Sequence, residues 1–255
     1  MTQTLENTKK VKNYFDRHWS KNNLKNQEKS TLGEYEKEAI DYAFHYIKSY
    51  FNSLKNKNVL EIGPGNGNNI LKFVKLGANV TAIDVSKKSL QLSKNLMMKH
   101  GLLDKVKFAQ MDAHNLKFRK NKFDIVFIQS TLMYLKPSVV AKQCSKVLKK
   151  NGLFVFIEPT LDNFLIRLYR AIFSEFKETN PNYITYQQII SISKLFRSIR
   201  IKGFYIFSFA CLIFGKNNFL QRSAAFILKK IENLAIIIFP QLEKKSWLFV
   251  SINIK

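Results

Sequence analysis

The 255-residue chain predicts an α/β fold, a mostly parallel sheet covered by helices, on three observations. Strand-like and helix-like patterns alternate from residue 58 onward, the order that builds parallel strands joined by crossover helices. Two strand candidates, "FDIVFI" and "LFVFI", are apolar on both faces, as strands buried between two helical layers must be. Three of the nine glycines (Gly63, Gly65 and Gly67) fall within five residues, where the first strand would turn into a helix.

Residues 1–57 hold a polar start and an amphipathic stretch around Tyr35–Phe51, read as an N-terminal helical cap on a main domain of residues 58–255. Strands are predicted at Asn58–Ile62, Val80–Asp84, Val106–Gln110, Asp124–Gln129, Gly152–Glu158, Ile199–Ser208 and Trp247–Ile254. Helical patterns fall at Ile70–Lys75, Lys88–His100 and Pro137–Lys149, with a longer span from Asp162 to Phe196. A helical insertion, about 209–245, precedes the last strand. There "FLQRSAAFILKKIENLAIIIF" sets Leu220, Ala224, Ile227, Ile231, Leu234 and Ile238 on one helical face, with Arg222, Lys229 and Asn233 opposite. That apolar face is expected to pack on the domain; a substrate lid or a helix lying in a membrane surface is the alternative.

The net charge of +24 is spread along the chain, with 17 basic against 6 acidic residues in 61–159 and 14 against 5 in 160–255. It is therefore no basic tail. Of the 42 basic residues only 7 are arginine, the preferred group for planar phosphate recognition, which disfavours a nucleic-acid partner. Coding bias explains much of the charge, and an anionic substrate or peripheral contact with an anionic membrane fits the remainder. Cys144 and Cys211 lie in apparent core elements, which suits a reducing compartment. The opening "MTQTLENTKKVKNYF" has no signal-peptide core, and the longest apolar run, Phe204–Phe214, is short of the roughly 20 residues that span a bilayer. A cytoplasmic location is expected. No cluster has metal-ligand spacing and no G-x-S-x-G elbow occurs, which disfavours metal-dependent and serine-hydrolase chemistry.

A glycine loop between strand and helix presents N–H groups and a positive dipole end to a ligand. The dinucleotide fingerprint G-x-G-x-x-G would need a glycine at position 68, where Asn68 stands. Asp84 ends the second strand in "VTAIDVS", placed either to accept ribose hydroxyls or to cap the next helix. Asp112 follows the third strand in "FAQMDAHNL".

The run Glu61-x-Gly63-x-Gly65-x-Gly67 resembles the first motif of the class I S-adenosyl-L-methionine (SAM)-dependent methyltransferases. "VTAIDVS", "FAQMDAHNL", "FDIVFIQSTLMYL" and "LKKNGLFVFIEP" resemble that family's following motifs in the right order, from Val59 to Pro159. More faintly, "YFDRHW" is similar to the N-terminal stretch that folds over SAM, and "EPTLDNFLIRLYR" to a segment of the family's small-molecule and lipid-type members. The resemblance implies a Rossmann-like, doubly wound, seven-stranded sheet with an antiparallel last strand. It implies a SAM site formed by Glu61, Gly63, Gly65, Asn66, Gly67, Asp84 and Val85, with Tyr14 over it. Asp112 would hold the adenine amino group, Ala113 would offer its N–H to the ring, and Gln129 would lie beside the methionine part.

Methyl transfer is an in-line displacement that needs no metal, and alignment alone can lower its barrier by as much as roughly 7–11 kcal/mol. Candidate catalytic residues are Tyr134 after the fourth strand, His18 in the N-terminal stretch and Glu158 at the tip of the fifth. The implied acceptor is a small-molecule or lipid-like compound methylated on oxygen or nitrogen, and Phe204, Tyr205, Phe207, Phe209, Phe214, Phe219 and Phe226 are candidates to line an apolar pocket for it. An RNA methyltransferase or a non-catalytic SAM-fold binding protein are the alternatives.

Overall fold

The computed structural model describes residues 2–21, 31–51, 53–173, 181–208, 210–211 and 218–255. Two helices, α1 (Thr2–Lys21) and α2 (Thr31–Lys48), precede β1 (Asn58–Ile62). There follow α3 (Asn68–Lys75), β2 (Asn79–Asp84), α4 (Lys87–Lys99), β3 (Val106–Gln110), β4 (Phe123–Gln129), α5 (Pro137–Val147) and β5 (Leu148–Pro159). The rest of the chain forms α6 (Phe164–Phe173), α7 (Tyr186–Ser193), β6 (Ser198–Phe204), α8 (Asn218–Ile238) and β7 (Leu248–Ile254). The sheet runs β3-β2-β1-β4-β5-β7-β6. Strands β1 to β5 are parallel, and β7 lies antiparallel between β5 and β6, as expected of the last strand.

Alternating side chains of the central strands feed two cores, one on each face of the sheet. On one face Val59 and Phe127 meet Phe44 and Ile47 of α2 and Ile70 and Phe73 of α3. On the other, Leu60, Val126 and Ile128 meet Val140 and Cys144 of α5 and Ile189 and Ile192 of α7. α2 is thus part of the main core. Cys144 and Cys211 are buried and unpaired. Among the described residues no helix is long and apolar enough to cross a membrane, and no three metal-ligating side chains cluster.

The largest boundary differences from expectation fall in three places. α5 stops at Val147 because Leu148 is already extended (φ −70°, ψ 142°), so β5 starts there rather than at Gly152. β6 ends at Phe204, where Tyr205 turns the chain with φ +64°. The long helical span is two helices, and α7 begins afresh with a capping box between Thr185 and Gln188.

The larger correction concerns α8. Leu220, Ile227, Ile231, Leu234 and Ile238, expected to pack inward, are exposed, and Ala224 is half-buried. Lys229, expected on the outer face, turns inward over the rings of Tyr42 and Tyr205, at 4.7 and 4.9 Å from their centroids. Asn233 is exposed, and the side chain of Arg222 lies outside the described residues. Glu232 sets the orientation: it is buried and accepts the backbone N–H groups of Phe207 and Ser208. Nor do the described C-terminal aromatics gather in one place. Phe204 and Tyr205 pack edge-on against Tyr42, whereas Phe219 and Phe226 are 78% and 61% exposed. Phe209 and Phe214 lie outside the described residues.

Candidate functional site

Parallel pairing gathers the carboxyl ends of β1 to β5 at one edge of the sheet, the place where open α/β sheets bind ligands. β1 ends because Gly63 takes φ +73°, and a Cβ there would lie 2.4 Å from Thr131 Oγ1. Gly67 opens α3 at φ +88°, with its missing Cβ 2.9 Å from the Ser93 backbone. Both positions demand glycine twice over, for the left-handed backbone and for the close neighbour. At Gly65 the nearest group is the Trp19 ring of α1, at an ordinary 3.5 Å. The loop is tied down by the hydroxyl of Ser93, which donates to the Gly65 carbonyl at 3.1 Å, with the Ser89 hydroxyl 3.2 Å from the same oxygen. Asn66 Oδ1 accepts the Asn68 N–H at 3.2 Å, and no side chain caps α3.

Glu61 points beneath the first turn of α3. It is enclosed, hydrogen-bonded by Asn69, and pushed by burial up to about 8, with Oε2 left without a partner. Asn69 also donates to Gln129 Oε1 at 2.7 Å. Glu61, Asn69 and Gln129 therefore link β1, α3 and the end of β4 in one polar chain.

Asp84 supports the start of α4. Its Oδ1 accepts the Ser86 N–H at 2.8 Å and its Oδ2 accepts the Ser89 hydroxyl at 2.7 Å, while burial holds its pKa above the ordinary value. The Val85 N–H also bonds to this carboxylate, so of its roughly four acceptor positions about one stays available to a ligand. The neighbouring Val85 carbonyl is taken by the Gln110 side chain at 2.8 Å. Asp112 stands close by, since the Met111 N–H bonds to the Asp84 carbonyl at 3.0 Å. Asp112 Oδ1 accepts both the backbone and ring N–H of His114, at 2.9 and 2.7 Å, and this keeps its pKa below the ordinary value. His114 Nε2 accepts the Lys136 N–H at 3.0 Å, which fixes the ring proton on Nδ1 and makes the histidine a brace. Ala113 is buried between Asp112 and His114.

Helix α1 lies over these groups. Asp16 accepts the Ser86 hydroxyl at 2.7 Å and the Lys88 N–H at 3.3 Å, docking α1 on the start of α4. Tyr14 stacks on His18 with centroids 5.6 Å apart, and His18 meets Trp19 edge-on at 4.9 Å. His18 is half-buried, and burial depresses its pKa, which favours the neutral ring. Phe15 touches Tyr134 edge-on at 5.3 Å, so His18 and Tyr134 belong to one aromatic cluster.

Tyr134 sits in the turn after β4, and Glu158 lies under that turn. Glu158 is fully buried; its Oε1 accepts the N–H groups of Thr131 and Leu132, both at 2.8 Å, and burial pushes it up to about 8. It faces backbone rather than open space. Ser130 has φ +47° and a buried hydroxyl without a hydrogen-bond partner among the described residues. Sequence reasoning missed Asn69, Asp16 and Thr131, which act through contacts with distant elements. The Ser86, Ser89, Ser93 spacing, one face of a helix, was a visible signal for the loop anchors.

Residues 60–156 match the family model described as a methyltransferase domain. The chain is 32% identical over 128 residues to the ubiquinone biosynthesis O-methyltransferase of Pelagibacter ubique, covering 49% of this chain and 52% of that one. It is 30% identical over 123 residues to the sterol 24-C-methyltransferase of Pneumocystis carinii, covering 48% and 33%. It spans about half or less of the length of both. Among solved structures, phosphoethanolamine N-methyltransferase 2 of Haemonchus contortus in complex with SAM superposes with a TM-score of 0.58 at 18% identity, over 84% of this chain and 52% of that one. Residues 60–156 thus carry a methyltransferase domain, and the chain shares the fold of a methyltransferase solved with SAM.

Proposed function

We propose that the protein transfers a methyl group from SAM to an oxygen or nitrogen of a small-molecule or lipid-like acceptor. One observation carries the reading. The Gly63–Gly67 turn and the carboxylates of Asp84 and Asp112 stand side by side at the strand ends, under the aromatic cluster of α1. SAM, when bound, supplies a methyl group on a sulfonium. The residues present fit it: Asp84 keeps an acceptor position for a ribose hydroxyl, Asp112 Oδ2 takes no hydrogen bond among the described residues, and the orphaned Ser130 hydroxyl lies at the end of β4. Tyr14 and Trp19 exclude water from above the loop. Neutral His18, and Tyr134 across Phe15, are the groups to receive or orient the acceptor's proton. Glu158 acts as a positioning residue that holds the turn bearing Tyr134. The relatives named for ubiquinone, sterol and phosphoethanolamine chemistry support a lipid or lipid-precursor acceptor.

The test is calorimetric titration with S-adenosylhomocysteine of the wild type and of Asp84→Asn. Loss of charge-assisted bonds worth roughly 1.5–3 kcal/mol each should weaken binding at least about tenfold. No binding by the wild type, or equal binding by the variant, would sink the proposed site. Tight binding without turnover of any lipid or quinone precursor would leave a non-catalytic SAM-binding protein.

A further inference from the structure

We infer that the outward face of α8, together with the start of α6, seats this protein on an anionic lipid bilayer. α8 is turned the opposite way from an ordinary surface helix. Its buried face carries Gln221, Lys229 and Glu232, while Phe219, Phe226, Ile231, Leu234 and Ile237 stand 78%, 61%, 52%, 59% and 76% exposed. The Glu232 contacts to the Phe207 and Ser208 N–H groups and the Lys229 contacts to Tyr42 and Tyr205 lock that orientation. A continuous apolar face of this length on a soluble protein marks a contact site.

The face continues onto α6. Asn163 caps α6 through the Ile166 N–H and donates its side-chain amide to the carbonyls of Ile206 and Lys245, the two ends of the segment that carries α8. Phe164 is 66% exposed there, and Leu165 and Leu168 also face outward. Both helices rest on the same buried group of Ile166, Tyr205, Cys211 and Trp247.

Charge selects the occupant. The two acids of 218–245 are both engaged: Glu232 is buried, and Glu243 pairs with Lys202 at 3.1 Å. Lys230, Lys244, Lys245 and Arg167 are exposed around the apolar side chains, and Lys230 lies 4.5 Å over the Phe226 ring. An apolar helical face rimmed by cations, with no free acid among the described residues of 218–245, is complementary to anionic headgroups over acyl chains. A second copy of this chain would bring like charge against like charge. The helix is not apolar enough to span the bilayer, so it lies in its surface. Thr160, just past the end of β5, donates its N–H to the Trp247 carbonyl, so the chain that follows α8 re-enters the sheet at the edge where the carboxyl-end site lies.

The experiment is co-sedimentation of the whole protein, without cofactor, with vesicles of phosphatidylcholine alone or mixed with phosphatidylserine, at low and high salt. The wild type should bind the mixed vesicles, bind the neutral ones weakly, and be partly released by salt. Phe226→Gln and Ile237→Gln should each weaken binding about tenfold, with helix content by circular dichroism and S-adenosylhomocysteine affinity unchanged. Wild-type protein left in the supernatant, or undiminished binding by both variants, would overturn the inference. A concentration-dependent dimer dissolved by the same substitutions, without vesicle binding, would replace the bilayer by a second copy. Because no cofactor is used, failure here leaves the methyl-transfer proposal standing, and failure of that proposal leaves this one.

Discussion

Replacing Glu61 by glutamine should change how the protein's stability depends on pH. Glu61 is 1% exposed, has one carboxylate oxygen without a partner, and is pushed by burial from an ordinary 4.5 up to about 8; the Asn69 hydrogen bond and the Lys72 charge oppose that only weakly. A carboxyl with a raised folded pKa holds its proton in the native state after the unfolded chain has released it. Below pH 4.5 both states are protonated and the group adds no pH dependence. Between 4.5 and about 8 stability falls as pH rises, by at most about 1.4 kcal/mol per pH unit. The penalty is complete above that window, where it reaches at most about 5 kcal/mol. Glu61→Gln keeps an oxygen for Asn69 and removes the titration. Thermal melts of both proteins from about pH 4.5 to about 8.5 should diverge as pH rises, the variant gaining roughly 2–4 °C for each kcal/mol. Parallel curves would show that the carboxylate is solvated or paired in the folded protein, and would refute the enclosed Glu61–Asn69–Gln129 chain.

Three further outcomes are expected. Gly67→Ala forces a side chain into φ +88° and against Ser93, so it should lower stability by about 1–3 kcal/mol or more; an unchanged melting temperature would contradict the loop geometry. Glu158→Leu strands the Thr131 and Leu132 N–H groups at about 1–3 kcal/mol each, whereas Glu158→Gln should largely preserve both fold and turnover; inactive but stable Glu158→Gln would make the carboxylate catalytic rather than positioning. His18→Gln should reduce turnover of an identified acceptor by about 10²–10⁴-fold while leaving S-adenosylhomocysteine affinity alone. In the wild type the acid limb of the rate profile should fall below pH 6.5, since burial depresses the His18 pKa; a limb above 6.5 would assign it to another group.

The strands were legible because burial on both faces leaves apolar runs too short for helices, as in Phe123–Gln129. The glycine loop was legible because only glycine tolerates the backbone at Gly63 and Gly67. Hidden features depend on partners far away in sequence. Nothing near Glu158 announces that its carboxylate receives N–H groups from residues 131 and 132. Likewise Asp16 reads as a surface acid until α1 is laid over Ser86. The orientation of α8 misled for the same reason: the hydrophobic pattern correctly predicted a two-faced helix, but the N–H groups of Phe207 and Ser208 decided which face went inside.

The position of β7 bears on how the chain assembles. β6 pairs with β7 alone, and β7 fills the gap between β5 and β6. The native partner of β6 is therefore missing until the chain beyond α8 has been made. The two strands then enter the sheet together, after a long loop has closed, which makes their addition a late and slow step. Cutting the chain just before Leu248 would consequently remove two strands from the sheet, not one, and bare the β5 edge to other chains.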